Sequence, residues 1–134
     1  MKATLRVLSI GSPEACNAVC DALLVRQRSC LTVASSANSL YAVSTPAPFD
    51  VAVLHPSLSV LEMRDAGALI RSRWPTTRIL AIAYSVNDLE SPLFDVWREP
   101  GITCHAMLSL LERMAMDRHV AESAKSKLAQ VRSL

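Results

Sequence analysis

The sequence predicts a doubly wound α/β domain: a five-stranded parallel sheet with an extended C-terminal helix. Three observations predict it. Four short apolar runs, at 5–10, 30–34, 51–54 and 79–84, are β-branched or Leu-rich and bounded by Ser, Pro, Asn or Asp. The segments between them carry helical spacing rather than alternation. Near-continuous apolar strands are buried on both faces, and their alternation with helices implies parallel pairing.

The elements follow in order. After the first run, Cys16, Val19, Cys20, Leu23 and Leu24 fall at i, i+3, i+4, i+7 and i+8, one apolar stripe of a helix. Residues 37–43 read as a shorter, weaker helix. Met63, Ala66, Ile70 and Trp74 repeat the helical stripe after the third run. Residues 89–97 read as a fourth helix. Pro100-Gly101-Ile102-Thr103-Cys104 leaves room for only a very short fifth strand, and 105–131 reads as one long helix. The expected division is a domain over 1–116 and a helical tail over 117–134.

A chain of 134 residues fits one domain and buries roughly 68% of its unfolded surface. With 51% hydrophobic and 19% charged residues it has the composition of a folded protein. Only 4% is aromatic, so Ala, Val, Leu and Ile must build the core. A net charge of +2 is too balanced to imply direct nucleic-acid binding. No apolar run approaches the roughly 18 residues of a membrane span. The stretch 7–10 stops at Gly11-Ser12-Pro13-Glu14, too soon for a signal peptide. Four sparse cysteines, Cys16, Cys20, Cys30 and Cys104, read as free thiols of a cytoplasmic protein.

In an open parallel sheet, ligands sit outside the carboxyl ends of the strands. The residues there are Gly11 and Ser12, His55, Ala83 and Tyr84, and Ile102 to Cys104. The phrase Phe49-Asp50-Val51-Ala52-Val53-Leu54-His55-Pro56-Ser57-Leu58 resembles the third strand of bacterial response-regulator receiver domains. The Trp74-Pro75-Thr76-Thr77 lead into the fourth strand and the total length agree with it. The resemblance covers residues 4 to 116 and implies a flavodoxin- or receiver-like sheet of order 2-1-3-4-5.

It implies a phosphoryl-transfer site whose parts are absent. A receiver's acidic pair, which holds Mg²⁺, is matched by Gly11 and Ser12, and neither supplies the hard, charged oxygen ligand that Mg²⁺ requires. The phosphoacceptor aspartate is matched by His55 and the switch hydroxyl by Ala83. The lysine that ends the fifth strand has no counterpart, because the lysines are Lys2, Lys125 and Lys127. The expectation is a degenerate pseudo-receiver of two-component signal transduction: not an enzyme, with no cofactor and no bound metal.

Other chemistries find less support. His55 could serve as a phosphohistidine, a metal ligand or a pH sensor, or simply fill the space of a lost metal site. Cys16 and Cys20 lack the tight Cys-x₂-Cys pairing of zinc sites. Three glycines, Gly11, Gly67 and Gly101, form no phosphate-binding pattern. Ser12 lacks the surroundings of a hydrolase nucleophile.

The tail carries the remaining signal. Met107, Leu110, Met114, Asp117, Ala121, Ala124, Leu128 and Val131 follow heptad spacing, and seven of these eight are apolar. The expected function is a non-catalytic signalling module acting by protein–protein interaction or homodimerisation. Its expected surface combines Leu93, Val96 and Trp97 of the fourth helix with Met107, Leu110, Met114, Ala121 and Leu128 of the last. One alternative is the regulatory domain of a larger regulator, a transcription factor or cyclic-nucleotide enzyme. Another is a small-ligand or metal-binding domain that uses His55 and Cys104.

Overall fold

The computed structural model describes residues 4–36, 38–43, 49–84 and 93–132, with backbone alone at Tyr41 and at 121–132. Its strands are β1 (Leu5–Ile10), β2 (Ser29–Ala34), β3 (Val51–Leu54), β4 (Arg78–Ile82) and β5 (Val96–Arg98). They form one parallel sheet in the order β2-β1-β3-β4-β5, the order that the receiver resemblance implies. Central β3 is buried throughout, as a strand covered on both faces must be.

The two-residue period of the strands sorts their side chains between two apolar layers. Leu5, Val7, Val51, Val53 and Leu80 pack beneath α1 (Pro13–Leu24) and α3 (Cys104–Arg132). Leu8, Ile10, Leu54 and Ile79 pack on the other face, beneath α2 (Val60–Arg73) and the 3-10 turn Asn38–Ala42. Each buried aliphatic side chain contributes about 1.5–3 kcal/mol, so a domain poor in aromatics still has a full core.

The helix starts follow from local chemistry. Ser12 caps α1 by accepting from Ala15 N, with Pro13 placed where its missing N–H costs nothing. Ser59 and Glu62 form a reciprocal capping box on α2.

Two expectations need correction. Within 93–97 there is no helix: Leu93 is a turn residue, and Val96 and Trp97 lie on β5. Residues 89–92 lie outside the described residues. Polar anchoring overrides the apparent helical spacing. Asp95 N donates to Ile79 O at 2.9 Å, Asp95 Oδ2 accepts from Ile79 N at 2.7 Å, and Arg71 donates to Leu93 O and Thr77 O. The fifth strand is therefore Val96–Arg98, not a segment of 100–104. Gly101 turns the chain with φ +97°, and Thr103 Oγ1 accepts from Ala106 N to begin α3.

At the opposite end of the sheet, Asp50 just before β3 anchors the long helix. Arg118 donates to its Oδ1 at 2.6 Å, and Arg6 N donates to its Oδ2 at 2.9 Å. Arg118 is only 5% exposed, so α3 still packs on the domain two residues past position 116. The helix continues to Arg132, and residues 119–132 extend it by roughly 20 Å at about 1.5 Å per residue.

Candidate functional site

The carboxyl ends of β1, β3 and β4 meet where an open parallel sheet places its ligands. His55 follows β3 in phase with Val51 and Val53, which places its ring in the layer below α1. It is 2% exposed. Its Nε2 lies 2.7 Å from Ser9 Oγ, Ser9 Oγ donates to Cys16 Sγ at 3.1 Å, and Cys16 Sγ donates to Gly11 O at 3.8 Å. With the single Ser9 proton on Cys16, His55 would carry its hydrogen on Nε2 and donate to Ser9 Oγ.

The chain of donors is neutral. Burial holds the His55 pKa down at about 4, so the ring is uncharged near pH 7. Burial raises the Cys16 pKa against the lowering effect of the Ser9 hydrogen bond, so sulfur remains a thiol. Neither group is activated as a nucleophile. The arrangement satisfies buried polar atoms and fills space.

The other crevice positions are equally committed. A Cβ on Gly11 would lie 2.8 Å from both His55 Cβ and Ser57 Oγ. Ser12 spends its hydroxyl on the cap of α1, and its N–H donates to Ser57 Oγ at 2.9 Å. Ala83 N donates to Arg98 O, and Ala83 O accepts from Trp97 Nε1 at 3.2 Å. Because β5 ends at Arg98, the residues at its carboxyl end are Arg98, Glu99 and Pro100 rather than Ile102 to Cys104. Cys104 is the exposed first residue of α3. Among the described residues, no three His, Cys, Asp or Glu side chains gather as a metal set. None of the described helices is long and apolar enough to cross a membrane.

The expected interaction residues divide. Met107, Leu110 and Met114 are buried against the sheet and belong to the core. Leu93, Val96 and Trp97 are half-buried. Ala121 and Leu128 lie on the helical extension, where backbone alone is described. The exposed apolar residues near the departing helix are instead Met116 and Val120 on α3, with Leu24 and Val25 at the end of α1. Arg26, paired with Glu112 at 3.8 Å, holds those two regions side by side. Ser9, a lone hydroxyl in an apolar run, is the sequence signal that His55 has an interior partner.

Neither a protein-family model nor a curated protein sequence matches the chain. Solved structures do match. The chain is similar to an adenylate cyclase from Rhodopirellula baltica, with TM-score 0.78 and 12% identity over 95% of this chain and 98% of the other. It is similar to a CheY-like response regulator receiver domain from Methanospirillum hungatei JF-1, with TM-score 0.74 and 13% identity over 89% and 99%. Chemotaxis response regulator CheY4 of Vibrio cholerae gives TM-score 0.68 and 18% identity over 84% and 99%. The fold is that of CheY-like receiver domains.

Proposed function

We propose that this chain is a pseudo-receiver: a non-catalytic signalling module that keeps the receiver fold and works by protein–protein contact through its last helix. One observation carries the reading. The residue in the phosphoacceptor position, His55, is buried, neutral and bonded inward to Ser9. A phosphoryl donor needs an accessible nucleophile and a charged Mg²⁺ site, and Gly11, Ser12 and Ala83 supply no carboxylate.

The helical extension supports the outward contact. An isolated helix of about 12–15 residues is marginal in water, and the 14 residues 119–132 (132 − 119 + 1) extend past the Arg118 anchor. A second copy packed along Ala121, Ala124, Leu128 and Val131 would give this helix a partner. The match to the Rhodopirellula baltica adenylate cyclase over 95% of this chain favours a second reading, in which the module is the regulatory domain of a larger regulator.

Sedimentation equilibrium on the full chain and on Leu128→Glu tests the self-association. The expected result is a dimer for the full chain and a monomer for the variant. Monomers in both would assign the helix to another protein. Dimers in both would move the interface onto the domain.

A further inference from the structure

We infer that the cleft between β5 and α3 binds a small organic anion, a single phosphate or carboxylate head on an apolar body. The site stands apart from the crevice around His55 and does not rest on the fate of phosphoryl chemistry there. Its volume is about 380 Å³, within the range of small-molecule pockets.

The local sequence explains why there is room. Strand β5 has only three residues and lies at the sheet edge. Gly101 then swings the chain away before Thr103 starts α3. On the flank of α3 beside the cleft stand Ala106, Ser109 and Arg113, at i, i+3 and i+7. The first two are small and leave space. Ile102 and Leu110 supply the apolar lining, and Arg98 of β5 provides a second cation.

The charges point to the head group. Arg26, Arg71, Arg78 and Arg118 each face a carboxylate. Among the described residues Arg98 and Arg113 enter no ion pair, as is true of Arg6, Arg28, Arg64 and Arg73, but these two line one cleft, and Arg98 Nη1 donates to Trp97 O. Glu112, beside Arg113 in sequence, pairs with Arg26. Both guanidiniums line one cleft and offer the forked donors that suit phosphate and carboxylate. The Ser109 hydroxyl adds a neutral donor. The apolar lining selects an anion with a carbon body over a bare inorganic ion.

The test titrates phenyl phosphate, benzoate and inorganic phosphate separately into the ¹⁵N-labelled full chain. Saturable shifts at Ile102, Ala106 and Ser109 are expected with phenyl phosphate or benzoate, and the tighter binder identifies the head group. Arg98→Gln and Arg113→Gln should each weaken binding about tenfold, with an unchanged circular dichroism spectrum because both side chains are exposed. Three results overturn the site: no saturation with either organic anion, inorganic phosphate binding as tightly as phenyl phosphate, or both arginine variants binding like the parent.

Discussion

His55 Cβ occupies the space that a side chain at Gly11 would need, since a Cβ at position 11 would lie only 2.8 Å away. Receiver chemistry requires an acidic residue near this point, at the end of the first strand. The His55 placement and a carboxylate at position 11 are therefore mutually exclusive unless the β3 end moves. Gly11→Ala should destabilise the fold by about 1–3 kcal/mol, the cost of overpacking a filled site. Urea unfolding of the two proteins measures this, and an unchanged midpoint would mean that the β3 end yields freely.

The hydrogen-bond chain makes a spectroscopic prediction. With the only Ser9 proton directed to Cys16, the expected state of His55 at pH 7 is the neutral Nε2–H tautomer, visible in the ring ¹⁵N shifts. Ser9→Ala leaves that buried N–H without its acceptor and should cost about 1–3 kcal/mol. The Nδ1–H tautomer in the parent protein would reverse the direction of the chain.

The depressed His55 pKa sets a pH dependence. The unfolded ring takes up a proton near pH 6.5, while the folded ring resists until about pH 4. The unfolded state thus binds more protons through this window, and stability falls as pH drops from about 6.5 toward about 4. At about 1.36 kcal/mol per pKa unit the full loss is about 3 kcal/mol. Stability above pH 6.5 owes nothing to this titration. Denaturant midpoints across the window should slope for the parent and lose that share of the slope in His55→Gln.

The parallel sheet was legible because four strands are apolar runs bounded by turn residues, and its order followed from the receiver resemblance. The fifth was not. Its three residues follow Pro92, and Pro92 within an expected helix over 89–97 was the available warning. What fixes β5 is the Asp95 and Arg71 hydrogen bonding, which joins residues far apart in sequence. The same limit applies at the site. The residue types at Gly11, Ser12, His55 and Ala83 read directly from the chain, whereas the Ser9 and Cys16 partners of His55 required the fold. The heptad stripe showed where α3 is apolar, but not that Met107, Leu110 and Met114 spend that surface on the core.

The anchor of α3 is also testable. The Asp50 and Arg118 side chains are 4% and 6% exposed, and His119 Nε2 lies 3.3 Å from the same carboxylate oxygen. Arg118→Met removes the buried guanidinium and leaves the Asp50 carboxylate only Arg6 N and the exposed His119, and should cost up to about 3–5 kcal/mol. Asp50→Asn combined with Arg118→Met removes the charge while keeping an acceptor for Arg6 N, and should recover most of the loss. Calorimetry on the two variants separates charge burial from lost packing; equal losses would assign the effect to packing.

The proposal that this crevice carries no phosphoryl chemistry is tested most directly by adding Mg²⁺ and beryllofluoride, a phosphoryl mimic, to the ¹⁵N-labelled chain. The account predicts no saturable shifts at Gly11, Ser12, His55 and Ala83. Saturable shifts centred on His55 and Ala83 would contradict it, because the crevice would then still hold the metal and the phosphoryl group.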